Sequence, residues 1–439
     1  MKVGLLTVHS HDGCTLKDVA GGYGTVFRVG ESLRARLLER AKSRLAELPP
    51  LVLGRLAARL RDGGHEVRVA TIRRTAGAHD ALPRGLDAAI VLTSMVDADA
   101  ERTVLAELSA RGTHAIAVGA YASAAPETFA DVSTAVVRGE PESLDAASLL
   151  DARGVTDAGF APDLDALPLP DWAPFPRERY RYALLSRGTT LPVESARGCA
   201  YGCGYCPWRV TAPFRERAPE RVVSEVRFLR DTWGSRGIAF RDPLMNLDEA
   251  RVRTLAKGLR PLGVRFSAEM RADRLDDALV AELARSGLRS LELGVESADT
   301  SMLSREKRQP PEPAQIEAVV RAAHRHGVRV IANFMLGLPD DTEEKIRETV
   351  ALAKKLDTFA VQFTIATPYP GTTLATRVEH LIRDRRPDAH TGFTSTFPHA
   401  HVAPAQLEAL REWAYTSYHF RPKWALRFLG QALPALLEA

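Results

Sequence analysis

Short apolar runs alternate with helically spaced apolar positions along most of the chain. Residues 3–8 (VGLLTV) are predicted to form a strand buried on both faces. Apolar positions over residues 50–61 fit one helix face and stop at Gly63-Gly64. Further strands are predicted at 67–70, 88–92, 114–118 and 135–138. This β-α-β rhythm implies a Rossmann-like parallel-sheet domain over residues 1–150, with ligands expected beyond the carboxyl ends of its strands. Residues 151–190 break the rhythm. Pro162, Pro168, Pro170, Pro174 and Pro176 crowd this stretch and predict an extended surface linker. Over residues 191–390 the rhythm resumes, with strands expected at 193–196, 237–241, 264–271, 290–296, 329–336 and 359–366. Helical stretches at 220–231, 276–286, 314–326 and 343–356 fall between them, which fits a partial (β/α)6 barrel. Residues 391–439 are expected to be a short helical tail rich in aromatics, among them Trp413, Tyr415, Tyr418, Phe420 and Trp424.

Polar residues at every second position of a helix-wrapped strand mark its inner face or its mouth. In 264–271, Arg265, Ser267, Glu269 and Arg271 alternate with apolar residues, and in 290–296 Ser290, Glu292, Gly294 and Glu296 do the same. Glu269, Arg271 and Glu296 lie toward carboxyl ends and are candidates for gripping a polar ligand. Arg265, at an amino end, reads as an internal ion pair or a residue of a solvated strand end. Asp242 closes the second strand, and Gln362 and Thr364 add neutral polar groups from the sixth.

Composition narrows the class. The net charge is +4 over 439 residues without a basic block, so no nucleic-acid partner is expected. No apolar run reaches a membrane span, and the first residues lack signal-peptide regions. A cytoplasmic protein with no membrane partner is expected. There are four cysteines, and Cys199, Cys203 and Cys206 fall within eight residues. Clustering of this kind favours a metal or cluster site over a disulfide framework. Thiolates suit iron–sulfur clusters or zinc. Structural zinc takes four protein ligands. Cys14 or a histidine is the available fourth; otherwise the trio leaves one metal corner open. Gly198, Gly202 and Gly204 let the loop close around a compact object.

The segment Gly198-Cys199-Ala200-Tyr201-Gly202-Cys203-Gly204-Tyr205-Cys206 resembles the hallmark of the radical S-adenosylmethionine (SAM) superfamily. Gly64-His65-Glu66-Val67, Val137-Arg138-Gly139-Glu140, Leu293-Gly294-Val295-Glu296-Ser297, Gly337-Leu338-Pro339, Thr367-Pro368-Tyr369-Pro370-Gly371-Thr372 and Tyr418-His419-Phe420-Arg421-Pro422 resemble motifs of its subgroup with an amino-terminal cobalamin-binding-like domain. The resemblance implies that Cys199, Cys203 and Cys206 bind a 4Fe-4S cluster whose fourth iron chelates SAM. It implies cofactor contacts from Tyr205, Glu296, Arg271, Gly294 and Gly337, and an iron–sulfur enzyme making a 5′-deoxyadenosyl radical. It also implies a one-electron reductant of flavodoxin or ferredoxin type, and a polar small-molecule substrate. The histidine-ligating Asp-x-His-x-x-Gly pattern is missing; His9-Ser10-His11-Asp12-Gly13-Cys14 stands there instead, and both histidines read as a polar loop. Cobalamin is thus possible, in a domain that could be degenerate. Gly21-Gly22-Tyr23-Gly24-Thr25 either approaches a nucleotide-like ligand or covers the sheet edge.

In length and layout the chain resembles radical dehydratases of the paromamine type, from aminoglycoside antibiotic biosynthesis. That implies a lyase dehydrating an aminosugar-type diol, with Glu269 or Asp242 moving the proton and a separate reductase acting on the product. Two alternatives are a cobalamin-dependent radical SAM C-methyltransferase and a non-enzymatic iron–sulfur or zinc protein.

Overall fold

The computed structural model describes residues 1–186 and 188–431, with side chains described as far as residue 428. In the amino-terminal half the strands are β1 (Lys2–His9), β2 (Glu66–Thr75), β3 (Ala88–Leu92), β4 (His114–Val118), β5 (Ala135–Arg138) and β6 (Gly154–Asp157). They form one parallel sheet in the order β6-β5-β4-β3-β1-β2, with a two-residue antiparallel strand, Ala78–His79, beyond β2. Val3, Leu5, Leu6 and Val8 are fully buried, as a central strand covered on both faces requires. The sheet order reverses between β1 and β3, which opens a crevice at their carboxyl ends.

Helices α2 (Leu51–Asp62) and α3 (Ala98–Ala110) flank this sheet, and α1 (Leu33–Leu45) precedes α2 in the chain. Helix α2 buries Leu53, Leu56, Ala57 and Leu60, and Gly64 ends its turn at φ +78°. Helix α1 was not legible in the sequence. Ser32 caps it, accepting from the Ala35 amide at 3.2 Å, yet Leu33 and Leu37 are exposed, so its apolar pattern is blurred.

The second half holds β7 (Thr190–Val193), β8 (Gly237–Phe240), β9 (Arg265–Met270), β10 (Leu288–Glu296), β11 (Arg329–Leu336) and β12 (Ala360–Ile365). All are parallel and paired in chain order, so β7 and β12 border an open seam. The helices wrapping the barrel are α4 (Pro219–Trp233), α5 (Glu249–Leu259), α6 (Asp277–Arg285), α7 (Pro313–Arg325) and α8 (Glu343–Leu356). The tail is α9 (Pro404–His419) and α10 (Pro422–Gln431). The predicted α/β class, with parallel amino-terminal sheet, partial barrel and helical tail, is the one observed.

The strand expected at 193–196 lies three residues earlier. Glu194 and Ser195 leave it to enter a buried ionic network and to contact Asp242. Among the described residues no helix is long and apolar enough to cross a membrane.

Helix α1 stands in the barrel's seam. At its end, Ala46–Glu47 pairs antiparallel with Arg181–Tyr182, just before β7. On the other side its Lys42 Nζ donates to Gln362 Oε1 of β12 at 2.9 Å. The amino-terminal half thereby completes the barrel wall. Along β10, β11 and β12 the outward residues are buried and the inward ones, among them Glu292, Glu296, Asn333, Gln362 and Thr364, keep accessible surface. Strict alternation of this kind lines an open lumen.

Candidate active site at the barrel mouth

The cysteine loop leaves the carboxyl end of β7. Gly198 turns at φ +74°, where an added Cβ would sit 2.5 Å from the Ala212 and Pro213 carbonyl oxygens. Only glycine fits that turn without displacing backbone. Ala196–Arg197 pairs antiparallel with Arg215–Glu216, closing the loop's base. Further on, Gly204 N donates to Glu306 O at 2.7 Å, and Gly204 O accepts from Leu374 N at 2.8 Å.

Cys199, Cys203 and Cys206 are all half-buried on this loop. Burial pushes the Cys199 and Cys206 thiols up. Among the described residues no three His, Cys, Asp or Glu side chains converge as one metal ion would require. A cluster asks less, because each thiolate takes a different iron. Three thiols on one glycine-rich loop therefore fit a cluster better than a mononuclear zinc. Bound iron would hold them as thiolates.

The other predicted residues separate into two groups. Tyr205, Glu296 and Gly294 gather beside the loop. Tyr205 is buried and its hydroxyl finds no partner in the protein. Glu296 sits at φ +72° beyond an irregularity in β10, which turns its carboxyl into the mouth. Burial raises its pKa, opposed by Arg308 and then Arg271. Arg308 was missed by the sequence reading. Its Nη2 donates to Gly294 O at 2.6 Å and lies 3.5 Å from Glu296 Oε1. In the sequence it is one cation in the run Arg305-Glu306-Lys307-Arg308, with no signal to set it apart. Gly294 leaves it room, since a Cβ there would come 2.9 Å from Arg308 Nη2. The unpartnered Tyr205 hydroxyl and Arg308 Nε suit a polar cofactor such as SAM.

Gly337 and Asp242 are engaged elsewhere, while Arg271 is anchored at the loop's outer side and keeps a buried Nη1 without a partner. Arg271 donates to both Asp273 oxygens at 2.8 and 2.6 Å and lies over the Tyr201 ring at 4.5 Å, so it braces the loop's outer side. Gly337 N donates to Asp341 Oδ2 at 2.9 Å, and its φ of +75° lets it pack against Leu407 and His399. Asp242 corrects the expectation of a proton-moving carboxylate. It is 1% exposed and accepts from Ser195 N at 2.6 Å and from the Ser195 hydroxyl, beneath the loop and out of the lumen. Glu269 does face the lumen. Burial, then the Glu292 charge, pushes its carboxyl up to about 8.

Residues 193–353 match the family model of the radical SAM superfamily. The likeness to that superfamily thus runs from β7 into α8. An uncharacterized methyltransferase of Pyrococcus horikoshii is 27% identical over 267 residues, 60% of this chain and 57% of that protein. The bacteriochlorophyllide d C-12(1)-methyltransferase of Chlorobaculum tepidum is 28% identical over 212 residues, 46% of each chain. The chain thus spans about half the length of these curated relatives. Among solved structures, the radical SAM methyltransferase TsrM of Kitasatospora setae, with cobalamin and a 4Fe-4S cluster bound, aligns with TM-score 0.60 at 16% identity. That alignment covers 86% of this chain and 78% of TsrM, which shows the shared fold.

These matches overturn the dehydration reading. The relatives matched first are methyltransferases, and nothing supports a lyase, an antibiotic pathway or the paromamine-dehydratase likeness. The reductase expected to act on a dehydrated product lapses with it.

The crevice of the amino-terminal sheet is lined by the chain itself. Residues Cys14–Leu16 and Thr25–Phe27 form a hairpin across the carboxyl ends of β1 and β3. Tyr23 stacks on Tyr369 at 5.7 Å and donates to Pro370 O at 3.1 Å. A Cβ on Gly21 would meet Thr211 Oγ1 at 2.9 Å, so the glycine-rich turn is pressed against the cysteine-loop helix. Lys17 is buried against Asp97, 3.0 Å away, and Glu101. His9 lies 3.8 Å from Asp97, and burial pushes its imidazole down to about 4, so it is neutral. These groups line the crevice from the chain's own side, and a corrinoid held at the carboxyl ends of β1 and β3 would lie against them.

Proposed function

We propose that the chain is a radical SAM methyltransferase acting on a polar small molecule held in the barrel lumen. The observation that carries the reading is the cysteine trio on the loop after β7, with Arg308 and Glu296 beside it. A 4Fe-4S cluster on Cys199, Cys203 and Cys206 would supply the electron that splits SAM into methionine and a 5′-deoxyadenosyl radical. The chain's own groups do the rest of the work. Arg308 offers a cation to the cofactor's carboxylate, and Glu296 an acceptor for its donors. Buried Tyr205 packs beside the loop among Met302, Leu303 and Leu338 and helps exclude water. Methyl transfer is favoured over other radical outcomes by the named activities of the relatives. TsrM was solved with cobalamin, which supports a cobalamin-dependent route for the methyl group.

The test is anaerobic reconstitution with iron and sulfide, then incubation with SAM and a one-electron reductant such as dithionite. The expected result is about four irons per chain and 5′-deoxyadenosine or labelled methyl transfer from methyl-labelled SAM. A reconstituted protein that binds zinc instead, or leaves SAM intact with every reductant and candidate acceptor, sinks the proposal.

A further inference from the structure

On the inner face of the barrel, two carboxyl groups face each other on neighbouring strands. Glu269 on β9 and Glu292 on β10 are direct partners in the parallel register. Both side chains point to the inner face, since Ala268 and Met270 on one strand and Leu291 and Leu293 on the other fill the outer core. Neither carboxyl makes a hydrogen bond or ion pair with any described residue. Like charges directly opposite one another destabilise a sheet. The arrangement persists here although several cations stand close.

Those cations have their direct partners elsewhere, although Arg241 feels the charge of both carboxylates and Lys42 that of Glu292. Arg241 donates through Nε to Asp18 Oδ2 at 2.8 Å. Arg308 serves Gly294 and Glu296 at the mouth. Lys42 reaches in from α1, bonds Gln362 and lies 4.1 Å over the Phe27 ring. Its amine is buried and shifted down, with Cys14 and Glu292 the charges that hold it up. Further acceptors line the same wall. Asn333, opposite Gly294 on the neighbouring strand, keeps a buried Oδ1 with no partner. The lumen thus presents two carboxyls and an amide oxygen, all wanting donors.

We propose that Glu269 and Glu292 receive an ammonium group of the substrate, in a lumen whose open side is closed by Lys42 and Asp18 of the amino-terminal half. This rests on the lumen being the reaction chamber proposed above. A substrate ammonium set between the two gains charge-assisted hydrogen bonds and offsets the repulsion that ionising both carboxyls would bring. With Glu269 protonated at neutral pH, docking the cation drives its proton out to solvent. The amine keeps its own proton, so charge balances.

The probe is 1,3-diaminopropan-2-ol, with glycerol as the uncharged molecule of the same shape. Each is titrated calorimetrically into full-length reconstituted protein at pH 7, in buffers of differing ionisation heat. The diamine is expected to bind saturably and release a proton, while glycerol does not bind. Glu292→Gln is expected to weaken the diamine by about ten- to hundredfold, Glu269→Gln to abolish proton release, and Glu292→Asp to restore binding. Equal binding of glycerol, no saturable diamine binding, or unchanged affinity in a folded Glu292→Gln protein overturns the proposal. 5′-Deoxyadenosine formation in the same preparation reports on the parent reading separately. Cleavage of SAM without diamine binding removes only the ammonium site; diamine binding without cleavage leaves the site and removes the reaction.

Discussion

Replacing Arg55 by Met tests how the cysteine loop is held. Arg55 projects from α2 of the amino-terminal half and is 1% exposed. Its Nη1 bonds Glu194, the residue that follows β7, and lies 4.0 Å from Glu142. Arg197, two residues before Cys199, contacts Glu194 at 2.6 Å, Glu142 at 2.8 Å and Glu140 at 3.0 Å. Arg215 completes the network on Glu140. Three guanidinium groups thus neutralise three carboxylates out of water. Removing one partner of a buried pair costs about 3–5 kcal/mol, because the remaining charge stays buried. Arg197 still serves Glu194 in the variant, so a loss near the lower end, about 3 kcal/mol, is expected. The pH dependence has a definite sign. Burial alone would raise the Glu194 carboxyl, but Arg197 and then Arg55 hold it well below the usual range. Glu140 is likewise held low, by Arg215 and Arg197 against burial. Their contribution is complete above an unfolded carboxylate pKa of about 4.3 and disappears as pH falls through the depressed values. Urea unfolding followed by far-UV circular dichroism should therefore show a large gap at pH 7 that narrows below about pH 4. A gap under about 1 kcal/mol at pH 7, or one indifferent to acid, refutes the buried-network account.

Ser at any one of positions 199, 203 or 206 should abolish iron binding and visible absorbance while leaving the far-UV spectrum unchanged; retained iron argues against that thiol as a ligand. Gly198→Ala should lower cluster loading and stability, since its Cβ would fall 2.5 Å from two carbonyl oxygens; full loading shows that the loop has a second conformation. Glu269→Gln should raise the melting temperature at pH 9 more than at pH 5. The folded carboxyl, raised to about 8, keeps a proton that the unfolded chain releases above about 4.3, so wild-type stability falls across that window. An equal effect at both pH values argues that Glu269 titrates normally.

What the sequence made legible follows from local chemistry. Fully buried parallel strands write continuous apolar runs, so β1, β3 and β4 stand out. Inner-face alternation marked Glu269, Glu292 and Glu296, because a helix-wrapped strand has one apolar face by necessity. The cysteine trio was legible because its ligands share one loop. What stayed hidden depends on long-range assembly. Lys42 and Gln362 meet across 320 positions, and Arg241 meets Asp18 across 223, distances over which no local pattern operates. Asp242 misled for the same reason. A carboxylate ending a barrel strand looks catalytic, and only the folded loop shows that Ser195 has claimed both its oxygens.

The hairpin of residues 14–27 lies between the amino-terminal sheet and the barrel, at the crevice where the methyltransferase reading would seat a corrinoid. The fixings that hold it are few and polar at its rim: the Tyr23 hydroxyl on Pro370, Val26 N on Thr391 O at 3.0 Å, and Lys17 on its two carboxylates. Glu101, pushed up to about 7 by burial despite Lys17, makes that last contact the least secure near neutrality. A corrinoid at the carboxyl ends of β1 and β3 would lie against these groups. Uptake of hydroxocobalamin by the purified protein should therefore change amide hydrogen exchange across residues 14–27 while leaving the strands of the barrel as protected as before. Stoichiometric corrinoid with unchanged exchange in the hairpin would mean that it binds somewhere other than this crevice. The two halves of the chain share one wall through α1, so such a change reaches Lys42 and the lumen as well. Cofactor entry on one side and substrate grip on the other then depend on the same thirty residues.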